Sequence, residues 1–231
     1  MHSLNGPLLL LLEVKVSVQD VQVDEIWSFV GMKERTKRIQ GVTDPELGDA
    51  YTFVALERTS KLALAWHLGR RTAEDASRFA AKLSGATEGR FQLSTDGFNA
   101  YPAAIEEHLG GRVDYAQYVK VYGNDFSEER RYSPPSIISA EKVTVSGTPE
   151  EERVCTSHVE RQNLHTRMQL RRFTRLTNAF SRKRDNLRAA LALHFANYNF
   201  CWSHRTLKGC TPAMAAGLVR KPWTVRELVT A

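Results

Sequence analysis

Three carboxylates, Asp24, Asp96 and Glu160, stand where folding can join them into one acidic centre. Asp24 lies inside the alternating run Val21-Gln22-Val23-Asp24-Glu25-Ile26-Trp27. Asp96 closes the short apolar run Phe91–Thr95, and Glu160 falls in the first turn of a helical stretch. Carboxylate oxygens suit Mg²⁺, which prefers oxygen ligands in octahedral geometry and keeps waters and phosphate oxygens as its other ligands. Two such ions side by side can activate an attacking hydroxyl and stabilise the leaving oxygen of a phosphodiester. Each acid also has a plainer reading. Asp24 shares its strand parity with Gln22 and Ser28, as on a polar face, and Glu25 is its rival. Asp96 before Gly97 suits a turn or a helix cap. Ser157 and Glu160 have the spacing of a capping box.

The charge pattern favours the chemical reading. The chain has 231 residues and a net charge of +6. Residues 161–188 hold nine Lys/Arg (Arg161, Arg167, Arg171, Arg172, Arg175, Arg182, Lys183, Arg184, Arg188) against one acid, Asp185, so the rest of the chain is slightly acidic. On one continuous helix, at about 100° per residue, Glu160, Asn163, Arg167, Arg171 and Arg175 fall within roughly 120° of one another. Phe173, Leu176, Phe180, Leu187 and Leu191 gather on the opposite side. A merely solvated face would intersperse acids four residues away, and this row has none. Arginines in line with a metal-binding carboxylate suit a nucleic-acid backbone, because guanidinium groups pair with phosphates bidentately.

The elements that must position these groups follow from local pattern. Val14–Gly31 alternates as a strand, and Tyr51–Glu57 and Leu62–Leu68 read as a hairpin joined by Arg58-Thr59-Ser60-Lys61. Thr72 is placed to cap a helix from Ala73. Phe91–Thr95 is a strand, Asn99–Leu109 a helix stopped by Gly110-Gly111, and Val113–Tyr122 a fifth strand. Gly123 to about Thr156, with Pro134-Pro135, Gly147 and Pro149, reads as an irregular, mobile connection. From Glu150 to Lys208 no Gly or Pro interrupts a long helical periodicity. This order predicts an α/β fold, a mixed five-stranded sheet with a three-strand meander, parallel crossovers and helices on both faces. It is also the element order of ribonuclease-H-like nucleases.

The quoted residues resemble a known family. Val23-Asp24-Glu25-Ile26-Trp27-Ser28-Phe29-Val30, Thr95-Asp96-Gly97-Phe98-Asn99-Ala100-Tyr101 and Thr156-Ser157-His158-Val159-Glu160-Arg161-Gln162-Asn163 resemble the three acidic motifs of bacterial insertion-sequence-1 type transposases. The likeness continues through Arg171–Ser181 and ends with Asn197-Tyr198-Asn199-Phe200, His204-Arg205-Thr206-Leu207 and Thr211-Pro212-Ala213-Met214. It implies a DDE transposase with a ribonuclease-H-like domain over residues 18–219, an atypical extension at 1–17, a tail at 220–231 and a long C-terminal catalytic helix. By that resemblance Asp24, Asp96 and Glu160 are catalytic and bind two Mg²⁺ ions, with Mn²⁺ able to substitute. The implied reaction is cleavage at insertion-sequence ends and strand transfer, in which a freed 3′-hydroxyl attacks target DNA. Asn163, Arg167, Arg171 and Arg175 are expected to position DNA, by inference from the helix face. The implied partners are transposon ends, target DNA and further copies of the chain in a synaptic complex. The alternative is a truncated, catalytically silent DNA-binding remnant or regulator, because the zinc-binding and helix-turn-helix region usual in the family has no counterpart before Asp24.

Other features set bounds. Three cysteines give no disulfide framework and suit a reducing bacterial cytoplasm, with the protein on the nucleoid when bound to DNA. Pro7–Leu12 resembles part of a signal peptide, but no positive charge precedes it and Glu13 interrupts it. No apolar run approaches the ~20 residues of a membrane span. Cys201, His204 and Cys210 match no standard zinc spacing, and buried structural roles are the expectation for them. Trp27, Trp66, Phe91 and Phe173 read as core residues.

Overall fold

The computed structural model describes residues 15–122, 137–174 and 177–230. Its centre is a mixed sheet of six strands: β2 (Asp20–Val30), β3 (Gly48–Glu57), β4 (Ala63–Gly69), β6 (Phe91–Thr95), β7 (Val113–Tyr122) and β8 (Ile137–Ser146). A separate parallel pair joins β1 (Val16–Ser17) to β5 (Thr87–Glu88). Strand order in the main sheet is β4-β3-β2-β6-β7-β8. The β2-β3-β4 meander is antiparallel, β2-β6 and β6-β7 are parallel, and β8 returns antiparallel on β7.

The helices are α1 (Glu34–Ile39), α2 (Ala73–Ala86), α3 (Tyr101–His108), α4 (Ser157–Gln169), α5 (Arg184–Phe200), α6 (Pro212–Ala215) and α7 (Val225–Thr230). Because side chains alternate along a strand, β2 feeds two cores. Val21 and Val23 pack with Phe53 against Phe79 and Leu83 of α2 and Tyr101 and Ile105 of α3. Ile26 and Val30 pack with Val54 and Leu56 against Val159 of α4 and Leu187, Leu191 and Phe195 of α5. Among the described residues no helix is long and apolar enough to cross a membrane.

Two expectations need correction. The sheet has six strands rather than five, because Ile137–Ser146, read as part of an irregular connection, pairs with β7 from Tyr115↔Ser146 to Tyr122↔Ile137. Residues 123–136 of that connection lie outside the described residues. The long C-terminal helix is two helices. α4 stops at Gln169, Leu170 turns to extended backbone, and Arg171–Phe173 makes a 3₁₀ turn that buries Phe173. Ser181 then pairs with the end of β2, its carbonyl accepting the Gly31 amide at 2.8 Å. Tertiary pairing at Ser181 and burial of Phe173 thus interrupt a segment that lacks any local breaker.

The junction of β4 with α2 is tightly built. The Thr72 hydroxyl accepts the Asp75 amide at 3.3 Å, as the cap expected at that position. Asp75 also takes the Arg70 amide at 2.8 Å and His67 Nε2 at 2.7 Å. A Cβ on Gly69 would lie 2.2 Å from Asp75 Oδ1, so only glycine fits there. Thr72→Ala is expected to cost about 1 kcal/mol in urea unfolding, the usual worth of an N-cap.

Candidate acidic metal centre

Strand β6 ends one residue short of the site. Its last pair with β2 is Thr95↔Val23, so β2 runs on past it and Asp96 emerges beside Asp24 and Glu25. Asp24 points to the side covered by α4, and Glu25 points to the side covered by α3. Both nevertheless reach Asp96: carboxylate oxygens of Asp24, Glu25 and Asp96 lie within 4.8 Å of one another. Among the described residues no other group of three or more His, Cys, Asp or Glu is arranged to hold a metal ion.

Each acid is held by its own contacts. Asp24 Oδ2 accepts from Asn163 Nδ2 on α4 at 2.9 Å. Asp96 Oδ1 accepts the Phe98 amide at 3.1 Å, so the turn expected at Asp96-Gly97 exists, and Oδ2 accepts from Arg71 Nη2 at 3.3 Å. Gln117 of β7 fixes the backbone there, donating to the carbonyls of Asp96 and Phe98 at 3.1 and 3.3 Å. Glu160 lies outside the 4.8 Å group, although its charge acts on both Asp24 and Asp96. Its Oε1 accepts from Lys120 Nζ of β7 and from the Thr156 hydroxyl. The capping box expected from Ser157 and Glu160 is absent, because Thr156 is the N-cap residue. Instead the Gln22 side chain of β2 accepts the His158 and Val159 amides at 2.9 and 3.3 Å.

Crowded, buried carboxylates resist ionising together. Burial, then the Asp96 charge, raise Asp24 to about 7. The same two causes, in the same order, raise Glu25 to about 8, with the Tyr101 hydroxyl and Arg71 pulling the other way. Asp96 is also raised, chiefly by burial, against the Phe98 amide, Arg71 and Lys120. Glu25 Oε1 is buried and, like the Tyr101 hydroxyl that acts on this carboxylate, makes no well-formed hydrogen bond among the described residues. An all-oxygen donor set of three crowded carboxylates, with Arg71 and Lys120 beside them, fits a hard divalent ion.

The sequence was also compared with family models and curated proteins. None matches.

The structure brings Asp24 and Asp96 together, keeps Glu160 at the edge of the cluster and adds Glu25, the rival for the first position. Both adjacent acids of β2 belong to the site. Among the residues expected to face DNA, Asn163 is buried and donates to Asp24. Arg167 donates to the Phe173 carbonyl at 3.2 Å. Arg171 is exposed in the 3₁₀ turn, off the axis of α4, and Arg175 lies outside the described residues. The row of arginines expected along one helix is therefore divided where α4 ends. Tyr101 closes the second of the quoted motifs, whereas Gln22, Arg71 and Lys120 lie outside all three. For Gln22 and Lys120 the available sign was a polar residue between apolar neighbours on a strand, and Arg71 had none.

His204 packs edge-on against Tyr198, with ring centroids 4.9 Å apart, and its backbone amide donates to the Cys210 carbonyl at 2.9 Å. Phe91 and Phe173 are buried, and Trp66 stacks on Phe195 at 5.8 Å.

Proposed function

We propose that this chain is a DDE-type DNA transposase with a ribonuclease-H-like catalytic domain, acting by metal-dependent cleavage and strand transfer at insertion-sequence ends. The observation that supports it best is the meeting of Asp24, Glu25 and Asp96 where β6 ends beside the middle of the parallel strand β2, with the charge of Glu160 on α4 acting on Asp24 and Asp96. The order of these acids along the chain agrees with the motif resemblance. Asp24 and Asp96 would hold Mg²⁺ or Mn²⁺, with Glu160 completing the site from the helix. When bound, such ions supply Lewis-acid centres that activate an attacking hydroxyl and neutralise charge on a phosphodiester. The chain's own work is positional. Asn163 orients the Asp24 carboxylate, Gln117 and the Phe98 amide fix Asp96, and Lys120 and Thr156 aim Glu160. Exposed Arg171 is suited to a phosphate contact beyond the acids. The proposed setting is the bacterial cytoplasm and nucleoid, with DNA and further copies of the chain as partners.

The test uses labelled duplexes taken from DNA flanking the coding sequence, incubated with Mg²⁺ or Mn²⁺ and a plasmid target. Wild type should yield joined products, and Asp96→Asn should reduce them to background. If wild type and Asp96→Asn are equally inactive while both bind the duplex, the transposase reading gives way to a silent DNA-binding remnant.

A further inference from the structure

Arg71 sits at the start of α2, between two of the clustered acids. Its Nη2 lies 3.3 Å from Asp96 Oδ2 and 3.6 Å from Glu25 Oε2, and its guanidinium stands 4.4 Å from the Phe98 ring centre. The two ends of this bridge differ in freedom. The Glu25 side chain is 4% exposed, whereas that of Arg71 is 41% exposed. The pairing is also incomplete, because among the described residues Glu25 Oε1 is buried without a well-formed hydrogen bond.

We infer that Arg71 is a displaceable counter-ion, holding the place between Glu25 and Asp96 that a divalent cation takes and withdrawing when the cation enters. This rests on the reading of the cluster as a cation site. The guanidinium engages Glu25 and Asp96, two of the three carboxylates that a divalent ion here would need, so both cannot be fully engaged at once. Glu25 cannot leave, being buried on β2. Arg71 can, because its long side chain already reaches solvent and, among the described residues, it is held by the Phe98 face and two carboxylate oxygens. Glu25 Oε1, without a well-formed hydrogen bond among the described residues, is acceptor capacity that the guanidinium leaves unused. In the cation-free protein Arg71 thus stabilises the crowded acids, and the same contact lowers apparent cation affinity by the fraction of molecules in which it is closed. Lys120 sits on Glu160, and its charge also acts on Asp96.

The test is Mn²⁺ binding to the full chain by calorimetry, for wild type, Arg71→Gln and Arg71→Lys, with melting followed in EDTA. Arg71→Gln should bind Mn²⁺ about fivefold more tightly, the worth of a partly exposed ion pair, and melt at a lower temperature in EDTA. Arg71→Lys keeps the charge without the flat stacking surface and should fall between them in both measurements. It also serves as the comparison if Arg71→Gln fails to fold without a cation. Wild type that binds Mn²⁺ with variants that bind it equally or more weakly would overturn the inference alone. No Mn²⁺ uptake by wild type or variants would overturn both it and the cation-site reading beneath it.

Discussion

At pH 8 and without divalent ions, Asp24→Asn should unfold at a higher temperature than the wild type, and the gap should close as the pH falls toward 5. Asp24 is raised from 3.8 to about 7 by burial and by the Asp96 charge, with Glu160 adding to it. A carboxyl whose native pKa is raised holds its proton more tightly when folded. Its contribution is therefore fully present below 3.8 and is lost as pH rises through about 7. Above that, the folded protein carries an ionised Asp24 among other acids. The shift sets a ceiling of about 4 kcal/mol for the loss, and neighbours that adjust reduce it to about 2–3 kcal/mol. Histidines act with the opposite sign. Burial lowers His194 to about 4 and also lowers His67, His158, His165 and His204, so they reduce stability as pH falls below 6.5. Subtracting the variant's curve from the wild type's removes that shared contribution. Mn²⁺ should invert the order, since ligand at a hundred times its Kd stabilises by about 2.7 kcal/mol and Asp24→Asn loses a ligand oxygen charge. Thermal melts from pH 5 to 8, in EDTA and in Mn²⁺, check both halves. An Asp24→Asn protein less stable than wild type at pH 8 in EDTA would show that the acids are not mutually repelling.

The same crowding explains what the sequence could and could not disclose. β7 is found at Val113–Tyr122 with the bounds its alternation predicts, and the β3-β4 hairpin and the Thr72 cap follow their local patterns. β8 is hidden because both of its faces are exposed at the sheet edge, so burial imprints no alternation on Ile138–Val145. The break after α4 is hidden because its cause is the pairing of Ser181 with the distant end of β2. At the site, alternation alone sends Asp24 and Glu25 to opposite faces and makes them look like rivals. They converge because β6 stops at Thr95, and where a neighbouring strand stops is a tertiary fact. The even face of β2 misleads in a more instructive way. Gln22, Asp24 and Ser28 look like a solvated stripe, yet Gln22 is 0% and Ser28 3% exposed, because α4 and α5 lie over them.

Replacing Gln22 with leucine should therefore cost about 2–4 kcal/mol despite the similar size and greater apolarity of the new side chain. The first amides of a helix have no partner within it, and Thr156, at the N-cap, offers α4 no side-chain acceptor. Gln22 Oε1 takes the amides of both His158 and Val159, while Nε2 lies 3.1 Å from Cys155 Sγ. Leucine would leave those two amides unpaired against the sheet, and a buried orphan costs more than the bond it lost was worth. Hydrogen exchange at the amides of residues 158 and 159 should accelerate in step with the loss of stability. Gln22→Glu is the informative partner, since a carboxylate keeps the acceptor oxygens and meets the positive end of the helix dipole. It should recover much of the protection at those amides, losing the contact to Cys155. Unchanged exchange in Gln22→Leu would mean that α4 is seated by its apolar contacts alone. The functional stake is registration. Gln22 grips the start of α4, and Asp24, the next residue on the same face of β2, takes the Asn163 amide further along. Two residues of one strand face, making three bonds, fix where α4 begins and how it is rotated, and Glu160 lies between those contacts along the helix. Loosening Gln22 should thus reduce Mn²⁺ affinity and strand transfer more than stability alone accounts for, because it frees the helix that aims the third acid at the other two.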